Sequence, residues 1–231
     1  MSGFPPRFRA LVVGGSGAIG GAFVEALRAD PACARVLSLH RRSAPAVDFD
    51  DEASIEAAAA AVASQGPFHL IVNAAGLLHT PRFQPEKKLG DLHYAQLLET
   101  FRSNTFGPAL LLRHFSPLLD AERGVLALLS AKVGSIGDNR LGGWYGYRAS
   151  KAALNMLVKT AAIELRRSRP QAVVVALHPG TVSSALSRPY RGDEIGRPPS
   201  LAAAQMLAVL GTLGPADSGQ FVGWDGQRLP W

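Results

Sequence analysis

Six short apolar runs constrain this chain more than any other feature of its sequence. Residues 11–13, 35–39, 69–72, 124–129, 172–177 and 219–222 do not alternate polar with apolar side chains, so each reads as a strand buried on both faces. Between them lie segments of helical period at 19–28, 53–63, 89–119 (in one or two pieces), 146–167 and 200–210. Strand and helix in alternation predict right-handed crossovers, hence a doubly wound parallel sheet with helices on both faces.

No repeat or linker divides this pattern. At 231 residues the chain is long for one domain, but α/β sheets run to about 250 residues as a unit, so residues 1–231 are expected to form a single domain. Residues 186–200, rich in Arg, Pro and Gly, read as a mobile loop and a candidate lid, or as an ordinary connector.

Composition removes several classes. Hydrophobic residues make up 47% of the chain and charged ones 18%, which supplies a large core and argues against disorder. The single cysteine, Cys33, can form no internal disulfide. No Cys/His cluster has zinc spacing, so no metal is expected and a cytoplasmic location fits. The N-terminus has no signal-sequence pattern, and no apolar run nears the roughly 20 residues of a membrane span. The net charge of +6 comes from scattered arginines, which read as solvated surface rather than a nucleic-acid patch.

After the first strand comes Gly14-Gly15-Ser16-Gly17-Ala18-Ile19-Gly20, leading into a helix. Glycines allow a tight turn that brings backbone N–H groups against a pyrophosphate, and the helix N-terminus adds partial positive charge. A glycine cluster alone is weak; its place between first strand and first helix gives it weight. The second strand then ends in His40-Arg41-Arg42-Ser43, with no acid to hold a ribose 2′-hydroxyl. Guanidinium groups bind phosphate bidentately, so Arg41 and Arg42 predict NADP(H) in preference to NAD(H).

Further motifs follow in order: Asp48-Phe49, Asn73-Ala74-Ala75-Gly76, Asn104-Thr105-Phe106-Gly107, Tyr147-Arg148-Ala149-Ser150-Lys151 and His178-Pro179-Gly180-Thr181-Val182. With the glycine turn, these six make the chain resemble the classical short-chain dehydrogenase/reductase family along almost its whole length. The stretch 130–156, with Val133-Gly134-Ser135-Ile136 and Gly142-Gly143, more narrowly resembles the C-factor-like and sniffer-like carbonyl reductases. The resemblance implies a Rossmann fold of strand order 3-2-1-4-5-6, with room for a seventh strand near Phe221. It also implies cofactor contacts from Gly14, Ser16, Gly17, Ala18, Ile19, Gly20, Arg41, Arg42, Asp48, Phe49, Asn73, Ala74, Ala75, Gly76, Tyr147, Lys151, Pro179, Gly180, Thr181 and Val182. Ala18 stands where the family often has its second glycine, a departure of one methyl group.

Tyr147 and Lys151 stand four residues apart and so share a helix face. A phenol titrates near pH ~10 in isolation. An adjacent ammonium is expected to favour the phenolate and lower that value, giving an acid/base for a carbonyl or alcohol oxygen. Tyr145, six residues before Lys151, falls on another face. By resemblance Asn104 holds a water behind the lysine; the plainer reading is a buried asparagine satisfied by backbone groups. The family's catalytic serine follows the fourth strand, and an ungapped match puts Ala131 there. Ser130 is therefore a shifted candidate, preferred over Ser135 because a strand end is the more rigid place.

These readings describe an NADP(H)-dependent oxidoreductase moving a hydride between nicotinamide and a carbonyl or alcohol. Its substrate pocket is expected to be lined by Lys132, Leu141, Trp144, Leu186 and Tyr190. A small molecule is the expected partner, with a homodimer or homotetramer implied by the resemblance. A non-catalytic NADP-sensing protein, or an epimerase or dehydratase on the same fold, are the alternatives.

Overall fold

A computed structural model of the chain describes residues 3–231. Strands β1 (Phe8–Val13), β2 (Cys33–Leu39), β3 (Leu70–Asn73), β4 (Val125–Leu129), β5 (Val173–His178) and β6 (Phe221–Gly223) form one sheet in the order β2-β1-β3-β4-β5-β6. Every pairing is parallel. The helices are α1 (Ala18–Ala29), α2 (Glu52–Val62), α3 (Tyr94–Phe101), α4 (Gly107–Phe115), α5 (Tyr145–Ser168), α6 (Gly192–Ile195) and α7 (Pro199–Thr212).

The missing polar alternation now has its cause. Successive residues of each strand feed two different cores. Ala10, Val12, Leu70 and Val125 pack with α1 and α7, whereas Leu11, Val13, Ile71 and Leu126 pack with α2, α4 and α5. Phe23 and Phe115 are fully buried, one in each core; truncating either to alanine would cost about 3–5 kcal/mol.

The doubly wound parallel sheet is as expected, but its order differs from 3-2-1-4-5-6, because among the described residues no strand forms outside β2. The backbone donors between β2 and α2 are used locally. Ser43 and Val47 N–H groups go to the His40 carbonyl, Asp48 N–H to the Ser54 hydroxyl, and Asp51 N–H to the Asp48 carbonyl. A ladder needs those same donors. The third strand in chain order therefore pairs with β1, and the strand at Phe221 is the sixth.

Two consequences position a site. Val13 lies opposite Leu39 on one side and Asn73 on the other, so the carboxyl ends of β1, β2 and β3 lie level. The chain leaves β1 in one direction and reaches β3 in the other, which opens a crevice at the switch point. In addition, α3 and α4 are joined by one π-helical turn, Arg102–Phe106, that contains Asn104. Wide turns of this kind occur where a helix is interrupted at a functional place.

Candidate active site

A groove of about 990 Å³ runs along the carboxyl ends of β1 to β3, lined among others by Gly14, Ser16, Gly17, Arg41, Arg42, Asp48, Phe49 and Ala74–Gly76. Its floor depends on two glycines. Gly14 has φ +83, and a Cβ there would lie 2.6 Å from the Ala75 nitrogen; a Cβ on Gly20 would lie 2.2 Å from the Gly14 carbonyl oxygen. The turn thus draws α1 hard against the sheet, and no side chain caps the N-terminus of α1. Exposed Arg41 and Arg42 stand at the groove without a carboxylate partner among the described residues. Free helix-end N–H groups and two unpaired guanidiniums are a donor set suited to a phosphorylated dinucleotide.

Other expected contacts take different places. Asn73 is fully buried, and its Oδ1 accepts the Ala75 N–H at 3.1 Å, so its side chain shapes the turn. Phe49, though it lines the groove, also presses on Gly107, where a Cβ would fall 2.1 Å from its ring. Ile19, Pro179, Gly180, Thr181 and Val182 line a second cavity of about 260 Å³. Ala74, Ala75 and Gly76 line both spaces, so groove and cavity share one wall.

Tyr147 and Lys151 meet in that second cavity. The Lys151 ammonium lies 5.8 Å from the centre of the Tyr147 ring and donates to the Leu129 carbonyl at 2.9 Å. Burial pushes Lys151 down to about 8 and pushes Tyr147 up to about 12. The expected lowering of the phenol is thus corrected: desolvation outweighs the ammonium, and Tyr147 stays protonated through neutral pH.

Asn104 is fully buried behind this pair. Its Oδ1 accepts the Leu77 N–H at 2.7 Å, and its Nδ2 donates to the Leu77 carbonyl at 2.7 Å and to Ser150 Oγ at 3.1 Å. Ser150 Oγ in turn donates to the Tyr147 carbonyl at 2.8 Å. The amide therefore ties the Leu77 backbone to the first turns of α5.

The two serines separate. Ser130, 3% exposed at the end of β4, is in the cavity wall and donates to Asn155 Oδ1 at 2.6 Å. Ser135 donates to the Trp231 carbonyl at 3.1 Å and does not line the cavity. Ala131 stands in the wall beside Ser130.

Lys132, Trp144, Leu186 and Tyr190 line the cavity as expected, joined by Leu78, Val133 and Ile195. Leu141 does not line it. It is 92% exposed, on a turn whose next two glycines have φ +63 and +64 and carry it into solvent. Tyr147, Trp144 and Tyr190 form a continuous edge-to-face row, with ring centres 6.1 and 4.9 Å apart. The segment expected as a lid carries a short turn, Arg188–Tyr190, and α6. It is tied by Ser183 and Arg188 to Asp193. Leu78 and Ile195 escaped sequence reasoning because loops distant in the chain bring them in and no spacing marks them. Among the described residues no cluster of three His, Cys, Asp or Glu could hold a metal, and no helix is long and apolar enough to cross a membrane.

Comparison with known proteins agrees with this arrangement. The family profile of short chain dehydrogenase matches residues 9–195. The chain is 33% identical over 187 residues to the 1-hydroxy-2-glutathionyl-2-methyl-3-butene dehydrogenase of Rhodococcus sp., covering 81% of this chain and 79% of that one. It is 36% identical over 171 residues to the C-signal protein of Myxococcus xanthus, covering 72% and 94%. An NADPH-bound carbonyl reductase from chicken fatty liver superposes with a TM-score of 0.84 at 26% identity, over 99% of this chain and 96% of that one. With its glycine turn and switch-point groove on one parallel sheet and its Tyr147–Lys151 pair on α5, the chain belongs to the short-chain dehydrogenase family of oxidoreductases.

Proposed function

We propose that this chain is an NADP(H)-dependent carbonyl reductase that interconverts an uncharged aldehyde or ketone and its alcohol. The observation that carries the reading is the place of Tyr147 and Lys151 in a cavity that shares its Ala74–Gly76 wall with the dinucleotide-sized groove. The loop from Gly14 to Gly17 and the start of α1 would hold a pyrophosphate, and Arg41 and Arg42 a 2′-phosphate. Bound there, the dinucleotide supplies or accepts the hydride.

The chain's own residues move the proton. Tyr147, neutral with its phenol near 12, donates from Oη to the substrate oxygen as that oxygen gains charge. Lys151, fixed by the Leu129 carbonyl, places a positive charge beside the phenol and draws the proton's loss toward feasibility. Ser130 is the strand-end hydroxyl of the cavity wall; turned from Asn155 Oδ1, to which it now donates, it is the candidate second donor to the substrate oxygen. Leu78, Val133, Trp144, Leu186 and Ile195 supply a broad apolar part of the wall, beside Lys132, His178, Ser184 and Ser187, which favours uncharged carbonyl compounds over sugars. The names of two relatives, a dehydrogenase and an NADPH-bound carbonyl reductase, support the same reaction class.

Self-association belongs to the same reading. Met156 and Ile163 lie seven residues apart on α5 and are 66% and 48% exposed, an apolar stripe suited to a homodimer or homotetramer. The test of function is a cofactor-oxidation screen with NADPH and NADH against aldehydes, ketones and quinones. Oxidation of NADPH in step with alcohol formation is expected; no turnover with any of the panel would overturn the reading.

A further inference from the structure

The helix that carries Tyr147 begins in an unusual way. Its first N–H groups have no partners within the helix and need outside acceptors, a task usually done by Ser, Thr, Asp or Asn at the preceding position. Here that position is Trp144, which offers no capping side chain and adopts a left-handed conformation, φ 52 and ψ 43. Such a backbone is costly for a bulky residue and persists only where its surroundings enforce it.

Glu86 enforces it from the loop between β3 and α3. It is 2% exposed, among the few charged side chains buried in the protein. Its backbone carbonyl accepts the Trp144 N–H at 2.5 Å, and its carboxylate Oε2 accepts the Gly146 N–H at 3.0 Å. One residue thus fixes the chain on both sides of Tyr145, directly before Tyr147. The second carboxylate oxygen, Oε1, is buried without a partner among the described residues. It lies where a Cβ on residue 146 would come within 2.7 Å of it, so only glycine lets the carboxylate lie so close to the helix. The loop is itself anchored: Gln96 donates to the Gln84 carbonyl at 2.7 Å, and Asp91 accepts the Lys87 N–H at 3.0 Å and the Lys88 N–H at 3.2 Å.

We propose that Glu86 is a positioning residue for Tyr147, acting as a remote cap whose carboxylate sets the first turn of α5 and so the direction in which the phenol leaves it. The proposal rests on the reading of Tyr147 as the proton donor. Nothing in the spacing of the sequence marks the pair, which are 61 residues apart.

The test compares wild type with Glu86→Ala, Glu86→Gln and Tyr147→Phe. Three readouts are used: amide hydrogen exchange over residues 144–150, NADPH binding by fluorescence, and NADPH oxidation with benzaldehyde and acetophenone. Glu86→Ala should speed exchange in that first turn by about tenfold and lower kcat by about thirtyfold, in keeping with the sensitivity of proton transfer to small misplacements. The KM for the carbonyl compound and the NADPH affinity should stay within about twofold, since positioning and not binding is lost. Glu86→Gln keeps an acceptor for the Gly146 N–H and should recover kcat to within about threefold of wild type. Unchanged exchange in Glu86→Ala would overturn the cap whatever the activity does. So would a glutamine variant as poor as the alanine one, or a loss confined to NADPH affinity. If Tyr147→Phe keeps wild-type turnover, the reading of Tyr147 fails instead, and the exchange result still reports on Glu86.

Discussion

Lys151 directs its ammonium at the Leu129 carbonyl, 2.9 Å away, while standing 5.8 Å from the centre of the Tyr147 ring. Anchored to the last residue of β4, the lysine is held by the sheet as well as by its own helix. The charge stands beside the ring, yet burial prevails and the phenol is pushed up to about 12. A neutral phenol is a proton donor, so the resting geometry suits the reductive direction.

Tyr147→Phe should therefore lower carbonyl reduction by about a thousandfold or more, since general acid catalysis of this kind contributes roughly 10²–10⁴. NADPH affinity should change less than about threefold, because the groove is lined by other residues. Steady-state rates and a binding titration check both halves. Wild-type turnover in the variant would remove Tyr147 from the mechanism.

The pH dependence follows from the lysine. Burial lowers Lys151 to about 8 from an ordinary 10.5, so its ammonium is present below that value and is lost as pH rises through it. Tyr147, near 12, keeps its proton across the same range. Reduction should accordingly be level from about pH 6 to 7.5 and decline above about pH 8 as the cation disappears. His178, held down to about 4 by burial and nearby cations, adds no limb in this window. A pH–rate profile that stays flat to pH 10 would contradict the assignment of that limb to Lys151.

Replacing Arg41 and Arg42 together by alanine tests the cofactor choice. Each is exposed and free of carboxylate partners among the described residues, so their removal should leave stability within about 0.5 kcal/mol. Charge-assisted bonds contribute about 1.5–3 kcal/mol. NADPH affinity should fall by about a hundredfold, with NADH affinity changed by less than about threefold. Titration of both cofactors decides it, and equal losses would count against a 2′-phosphate site.

What the sequence revealed and what it concealed divide along physical lines. The five helical segments and six strands were legible because burial on two faces leaves continuous apolar runs, and Tyr147 with Lys151 was legible because one helix turn joins them. Strand order was less so: whether residues 46–49 extend a ladder or fold back on His40 depends on which acceptors their N–H groups meet, and that is not written in their hydrophobicity. The ionisation of Tyr147 was misjudged for a related reason. Spacing shows a neighbouring charge, but the desolvation that dominates comes from burial, in a cavity assembled from residues as remote in the chain as Leu78 and Tyr190. Glu86 shows the limit most clearly, since a lone acid in a loop reads as surface until the fold closes over it.

The choice between Ser130 and Ser135 is open to a paired substitution. Ser130 is buried in the cavity wall with its hydroxyl on Asn155 Oδ1 at 2.6 Å, whereas Ser135 stands outside that wall with its hydroxyl on the Trp231 carbonyl. If Ser130 steadies the substrate oxygen, Ser130→Ala should lower kcat by about a hundredfold, the lower end of the range seen when one such donor is removed. It should also cost about 1–3 kcal/mol of stability, because the Asn155 amide is left buried without its partner. Ser135→Ala should lose its bond to Trp231 and leave kcat within about twofold. Thermal unfolding separates the two effects of Ser130→Ala. A variant that loses stability yet keeps kcat would show that the hydroxyl serves only Asn155, leaving Tyr147 as the sole side-chain donor to the oxygen at that wall.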